Sequence, residues 1–340
     1  MKQKIKKIIK WGFLLFICQF FIRACIPSKQ DTAVIKPRQS TKYWSLNTGS
    51  KIAYTFIEGK GNKKPYPIIY LHGGPGGYIH SKVIEVLGQL SENGYDVYLY
   101  DQIGSGLSGR LENVNEYSAT RHQKDLESIV ALLNAKKVIL VGQSWGGALA
   151  TMYAGDNLNK VDKLILTCPG AIKPIDESVE KLKAPDSLNL KDPIDVNSET
   201  IAFALKPRYV AIRFWAFLGK KIGTDEEADS YLNKMASGFT KGLVYDPTKT
   251  LPEEGGGGGY CNIKTPPSYS KLKDPRPKLK NNTIPTLIIK GQYDNVPWGN
   301  TNEYIEIFKN SQLKIIEKAG HDVYIEKPNE YLEAMKLFLK

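Results

Sequence analysis

The sequence predicts an α/β fold, a mostly parallel sheet with helices on both faces and an inserted, mainly helical cap. Three observations point there. Short continuous apolar runs alternate with segments of helical spacing, as strands buried on both faces require. Three of those runs end in glycine-rich loops, "HGGPGG", "DQIGSGLSG" and "GQSWGG". The alternation lapses from about Ala171 to Asn282 and then resumes, the mark of an insertion.

The first residues belong to neither layer. "MKQKIKKIIK" carries five lysines and no acid, and a mostly apolar run of twelve residues follows, Trp11 to Ile22. That order reads as an export signal over residues 1–24, too short for an ordinary spanning helix, with an uncleaved anchor as the alternative. "IRAC" resembles a bacterial lipoprotein cleavage box, with Ile22 at −3, Ala24 at −1 and Cys25 as the acylated residue; Arg23 is a poor match at −2. The expectation is an exported bacterial protein held on the membrane by lipid at Cys25, with plain secretion and an uncleaved signal anchor as the alternatives. Residues 25–41 then form a polar tether.

Composition narrows the rest. An apolar content of 41% with 24% charged residues excludes a disordered chain. Loss of residues 1–24 lowers the formal charge from +12 to +6, and no basic block elsewhere argues for nucleic acid. Of four cysteines, Cys168 and Cys261 stay in the folded part after export, where a disulfide is the alternative to two separate buried thiols.

Along the core, residues 42–170 and 283–340, "YWSLNTGSKIAYTFIEG" reads as a hairpin and Ile68 to Leu71 as a buried strand. "SKVIEVLGQLSENG" has helical spacing and stops at Asn93-Gly94. "TRHQKDLESIVALLNA" is amphipathic through Leu126, Ile129, Val130 and Leu133. The insertion, residues 171–282, has helical patches in "TIAFALKPRYVAIRFWAFLGK" and "EEADSYLNKMASGF"; its "EEGGGGGYCN" reads as a mobile surface loop or a hinge. Strand "IPTLIIKGQYD", helix "TNEYIEIFKN", strand "QLKIIEKAGHD" and a closing helix complete the sheet.

The chemistry gathers at carboxyl strand ends. In "GQSWGG" a strand pattern turns abruptly into a helix pattern at Ser144, and side chains at Gly142 or Gly146 would collide in so sharp a turn. The turn lifts the Ser144 hydroxyl off the sheet and places the Trp145 N–H where it can face a developing oxyanion. A hydroxyl needs a base, and the base an orienting acid. "GQYD" supplies Asp294 past one late strand and "AGHD" supplies His321 past the next, in the order serine, acid, histidine. Asp322 is the rival acid, disfavoured because it adjoins His321. The second oxyanion donor comes from "HGGPGG", where Pro75 has no N–H; Gly74 is favoured, then Gly73. His72, His80 and His122 are read as structural.

Those motifs, "HGGPGG", "DQIGSGLS", "GQSWGG", "IPTLIIKGQYD" and "AGHD", resemble the proline iminopeptidase group of α/β-hydrolases, over about Tyr43 to Gly170 and Ile284 to Lys340. The resemblance implies serine catalysis without metal or cofactor, a helical cap after the sixth strand, and a small peptide or acyl substrate, often with release of an N-terminal residue. It also implies cap carboxylates that anchor a free amine, for which Glu226 and Glu227 are candidates. The chain departs from the group's usual pattern at Ile103 and Leu107, which stand where arginines are usual, and at Gln143, which replaces a glycine; Asp101 and Gln102 are retained as loop-organising groups. An ester-cleaving enzyme on the same triad is the second expectation, and a non-catalytic lipid-anchored binding protein the third. The sequence is silent on oligomeric state.

Overall fold

A computed structural model describes residues 2–193 and 198–340. Eight strands, β1 (Thr41–Ser45), β2 (Lys51–Ile57), β3 (Ile68–Leu71), β4 (Val97–Tyr100), β5 (Val138–Gln143), β6 (Val161–Thr167), β7 (Thr286–Gly291) and β8 (Ser311–Ile316), form one sheet in the order β1-β2-β4-β3-β5-β6-β7-β8. The first two pairings, β1 with β2 and β2 with β4, are antiparallel, and the other five are parallel.

Burial explains the apolar runs. Along β5, Val138 and Leu140 point to one face and pack with Leu126, Ile129 and Val130 of the helix Ala119–Leu132. Ile139 and Val141 point to the other and pack with Val83, Val86 and Leu87 of the helix Ser81–Gly88 and Met335 of the closing helix Pro328–Leu339. With a strand period of two, both sets must be apolar, so the strand reads as a continuous run. β4 and β5 flank β3 on opposite sides, so the chain reverses its winding there. The loops leaving β3 and β5 therefore open a crevice at their carboxyl ends.

Between β6 and β7 the described chain forms the helices Glu177–Glu180, Ser198–Ala204, Pro207–Phe217, Asp225–Phe239, Gly259–Tyr269 and Arg276–Leu279. The glycine run differs from the expected mobile loop. Gly256, Gly257, Gly258 and Gly259 are buried, and they stitch the insertion to the core loops. Gly258 N–H donates to Gly76 O at 2.8 Å and Gly106 N–H donates to Gly256 O at 2.7 Å. Gly257 N–H donates to Asn233 Oδ1 at 2.7 Å. These glycines are small because backbones meet there. The helix that follows, which carries Pro266 and Pro267, was not legible in the sequence.

Residues 2–25 are also described. A helix Lys2–Cys25 leans on Pro207–Phe217, where Ala24 O accepts from Arg208 Nη1 at 3.1 Å. No helix among the described residues is long and apolar enough to cross a membrane. The polar tether lies along the insertion, with Ser28 N–H on Glu227 Oε1 at 2.6 Å and Gln30 N–H on Ser230 Oγ at 2.9 Å. Cys168 and Cys261 are both buried free thiols, which corrects the expected alternative of a disulfide. Cys168 directly follows β6, beside His321, whereas Cys261 sits in the first turn of Gly259–Tyr269 against His122 and Thr265.

Candidate functional site

Ser144 stands between the end of β5 and the helix Trp145–Asp156 with φ 53° and ψ −119°. This is strained backbone for a residue with a Cβ, and it survives because neighbours fix it. Ser144 N–H donates to Thr167 O at 2.9 Å, while Gly147 and Gly170 N–H both donate to Ser144 O at 3.0 Å. A Cβ at Gly146 would drive into the Leu71 carbonyl oxygen, and one at Gly142 into that of Gly146. The two glycines fence the serine for the steric reason expected.

Past β7, Asp294 turns back toward the sheet, its N–H on Gly291 O at 3.1 Å. Its Oδ1 meets His321 Nδ1 at 2.6 Å, and its Oδ2 accepts from Lys290 Nζ at 2.6 Å. All three side chains are buried. Burial opposes charge on Asp294, but the His321 and Lys290 cations outweigh it and hold the carboxyl down to about 2. Burial likewise opposes the imidazolium of His321, yet the Asp294 carboxylate overrides it and raises the pKa well above 6.5. The histidine loop has a support the sequence did not disclose. Glu326 accepts from Gly320 N–H at 2.7 Å and from Tyr245 and Asp246 N–H at 2.8 Å, locking it to the insertion. A buried glutamate five residues past the histidine carries no motif that marks it in advance.

Ser144 and His321 line one cavity of about 880 Å³. Its floor includes His72, Gly73 and Gly74, and its roof includes Leu232, Met235 and Phe239 from the insertion. Gly73 packs against the serine, since a Cβ there would lie 3.1 Å from Ser144 Cβ; Gly74 turns at φ +124°. Trp145 opens its helix, so the intrahelical ladder leaves its N–H without an acceptor. Gln102 joins the three loops: its N–H donates to His72 Nε2 at 2.9 Å, its Nε2 donates to His72 O at 2.9 Å, and Trp145 Nε1 donates to its Oε1 at 2.8 Å. With Nε2 accepting, His72 carries its proton on Nδ1, which donates to Gly73 O at 2.8 Å. Burial lowers His72 to about 4, so it is a neutral strut. Asp101 is a second strut, accepting from Ile79 N–H at 2.7 Å and Leu107 N–H at 2.9 Å. His80 caps the helix Ser81–Gly88.

Glu226 and Glu227 do not reach this cavity. They line a separate one with Arg208, whose Nη2 pairs with Glu227 at 2.7 Å. The acids that do line the serine's cavity are Glu253 and Asp322. Cys168, Asp294 and His321 offer ligand atoms within 4.8 Å of one another. They fit a metal poorly, because Asp294 and His321 are already bonded together and the Lys290 ammonium occupies the other carboxylate oxygen.

Comparison with known proteins agrees with this architecture. A family model described as alpha/beta hydrolase fold matches residues 66–328. A proline iminopeptidase of Heyndrickxia coagulans is 28% identical over 313 residues, 86% of this chain and 96% of that protein. One from Saccharolobus solfataricus is 28% identical over 298 residues, 86% of this chain and 89% of its own. Among solved structures, an esterase from Exiguobacterium antarcticum superposes with a TM-score of 0.61 at 19% identity, covering 88% of this chain and 98% of its own. A bromoperoxidase from Bacillus anthracis gives 0.62 at 22% identity, covering 88% and 99%.

Proposed function

Because this chain belongs to the α/β-hydrolase fold family and is a hydrolase similar to proline iminopeptidases, we propose that it removes the N-terminal residue of a small peptide. Ser144 is the nucleophile, His321 the base and Asp294 the group that orients it. The observation carrying this reading is the 2.6 Å bond from His321 Nδ1 to Asp294 Oδ1, in a cavity shared with a serine on a strained strand-to-helix turn. With Nδ1 engaged, Nε2 is the nitrogen left to take the serine proton.

The steps follow from these positions. His321 Nε2 takes the hydroxyl proton as Ser144 Oγ bonds to the scissile carbonyl carbon. Charge on the carbonyl oxygen falls to the Trp145 N–H and to an N–H of Gly74 or Gly73. The imidazolium, stabilised by Asp294, returns its proton to the leaving amine, and the acyl-enzyme is left. Water, deprotonated by the same nitrogen, then releases the acid and restores the serine.

A second reading has its own support. Leu232, Met235, Phe239, Leu243, Val244 and Leu251 give the cavity an apolar roof, and its volume exceeds the need of one prolyl ring. That room favours a small acyl ester. Proline β-naphthylamide set against short p-nitrophenyl esters separates the two, and turnover of the esters alone ends the peptidase reading. Ser144→Ala should abolish both activities and labelling by a fluorophosphonate; a persistent adduct would remove Ser144 from its role.

Residues 1–24 act as an export signal and Cys25 takes the lipid in this proposal, leaving the enzyme on the outer side of a bacterial membrane. Support comes from the basic start, the apolar run and the "IRAC" junction.

A further inference from the structure

We propose that the exposed face of the helix Pro207–Phe217 docks on an anionic lipid surface, seating the insertion on a membrane whether or not Cys25 carries lipid. From Ile201 to Thr224 the chain has five cations, Lys206, Arg208, Arg213, Lys220 and Lys221, and no acid. Within the helix, Arg208, Ile212 and Ala216 turn inward and are buried. Phe214, Phe217 and Leu218, at the spacing of one helical face, are instead 57%, 69% and 52% exposed. Trp215 is half-exposed at the edge of that face. Eleven residues reach only about half-way through a bilayer core, so such a helix lies in the interface and does not span it.

The charges around this face select its occupant. Arg208 and Lys221 are paired with Glu227 and Asp225, whereas Lys206, Arg213 and Lys220 have no ion pair among the described residues. Lys206 Nζ lies 4.2 Å from the centre of the Phe203 ring, and Lys220 Nζ 5.3 Å from that of Trp215. Apolar stems laid along rings, with ammonium heads at the rim, suit lysines at the level of lipid headgroups. A second copy of the chain fits badly, because self-pairing would bring these cations together with no acid in the stretch to answer them. Anionic headgroups do answer them. The N-terminal helix adds to the same side of the molecule. It ends against Arg208 through the Ala24 carbonyl oxygen, and its Phe21 and Ile22 are exposed as well. Tyr209 and Arg213 of the docking helix also line the serine's cavity, so one wall of that cavity would rest at the bilayer.

The test uses the full chain with its two exposed thiols removed, Cys18→Ser and Cys25→Ser, so that no lipid contributes. Phe217→Cys then carries a nitrobenzoxadiazole label, and Phe214→Cys is the second site; thermal melts identify whichever labelled chain remains folded. Vesicles of equal parts phosphatidylglycerol and phosphatidylcholine, with brominated acyl chains, should shift the label to the blue and quench it. A label at exposed Asn159, beside the amino end of β6 and so across the sheet from the insertion, should stay unchanged. Lys206→Gln with Lys220→Gln should weaken vesicle binding read by the label at least about tenfold. A chain that sediments with the vesicles while the label on the helix stays in water overturns the proposal and leaves the N-terminal helix as the only anchor. Equal quenching in pure phosphatidylcholine overturns it too, by removing the role of the charges. Shielding of the label without vesicles, in step with protein concentration, would make the occupant a second copy and end the membrane reading.

Discussion

Lys290 donates to Asp294 Oδ2 at 2.6 Å, occupying the carboxylate oxygen that His321 leaves free. The same ammonium donates to Val296 O at 2.7 Å, which fixes the turn carrying Asp294. Lys290 is buried, so its ammonium exchanges water for these two acceptors. Lys290→Met should cost about 3–5 kcal/mol, the usual penalty for stripping one partner from a buried pair. It should also move the acidic limb of the pH–rate profile upward, because Asp294 then acts on His321 without a competing cation. Urea unfolding and kcat/KM against pH read the two effects. In a double-mutant cycle with Asp294→Asn the losses should be less than additive; additive losses would mean that the ammonium and carboxylate are not coupled.

The charge state of His321 sets the expected pH dependence. In its proposed role as base it must be neutral, and against the opposing effect of burial Asp294 raises its pKa well above 6.5. Activity should therefore fall as pH drops through a midpoint above that of an ordinary histidine. Asp294→Asn removes the stabilising charge and leaves burial, so the midpoint should move down while the rate collapses, by about 10⁴ where the tautomer is lost. A midpoint unmoved by this substitution would assign the limb to another group.

The acylation proposed at Cys25 predicts a protein that takes up labelled palmitate and sediments with membranes. Cys25→Ser should abolish the label and shift the protein to the soluble fraction or leave an uncleaved precursor. Unlabelled wild-type protein with its first 24 residues retained would support an uncleaved anchor instead.

Much of this architecture was legible because local pattern and burial agree. The run at β5 is apolar on both faces because the cores on either side need it, and Ser144 is marked by glycines whose absent side chains are a steric necessity. Asp294 and His321 were legible from their place at strand ends. Gln102 was read as a loop-organising group and is one, but Lys290 and Glu326 were not read as supports, since no motif marks them. The roof was least legible. Glu226 and Glu227 carry the charge an amine anchor needs, but Arg208 pairs with Glu227 in a cavity apart from Ser144. A helix start gives no sign of which side of the insertion it faces.

The glycine run failed as a mobile loop for a reason that can be tested. Composition alone makes five glycines flexible, but packing makes Gly258 a point of contact between two backbones. A Cβ there would collide with the Gly104 carbonyl oxygen, which cannot retreat without shifting the loop after β4. Its N–H also carries the bond to Gly76 O, so any shift weakens the glycine-proline loop of the site. Gly258→Ala should cost at least about 2 kcal/mol and lower kcat/KM through the displaced loop. Gly109→Ala is the control, since a Cβ there meets its neighbours at 3.5 Å or more, an ordinary contact. Equal melting temperatures for the two variants would show that the seam yields and that the run is the hinge its composition implies.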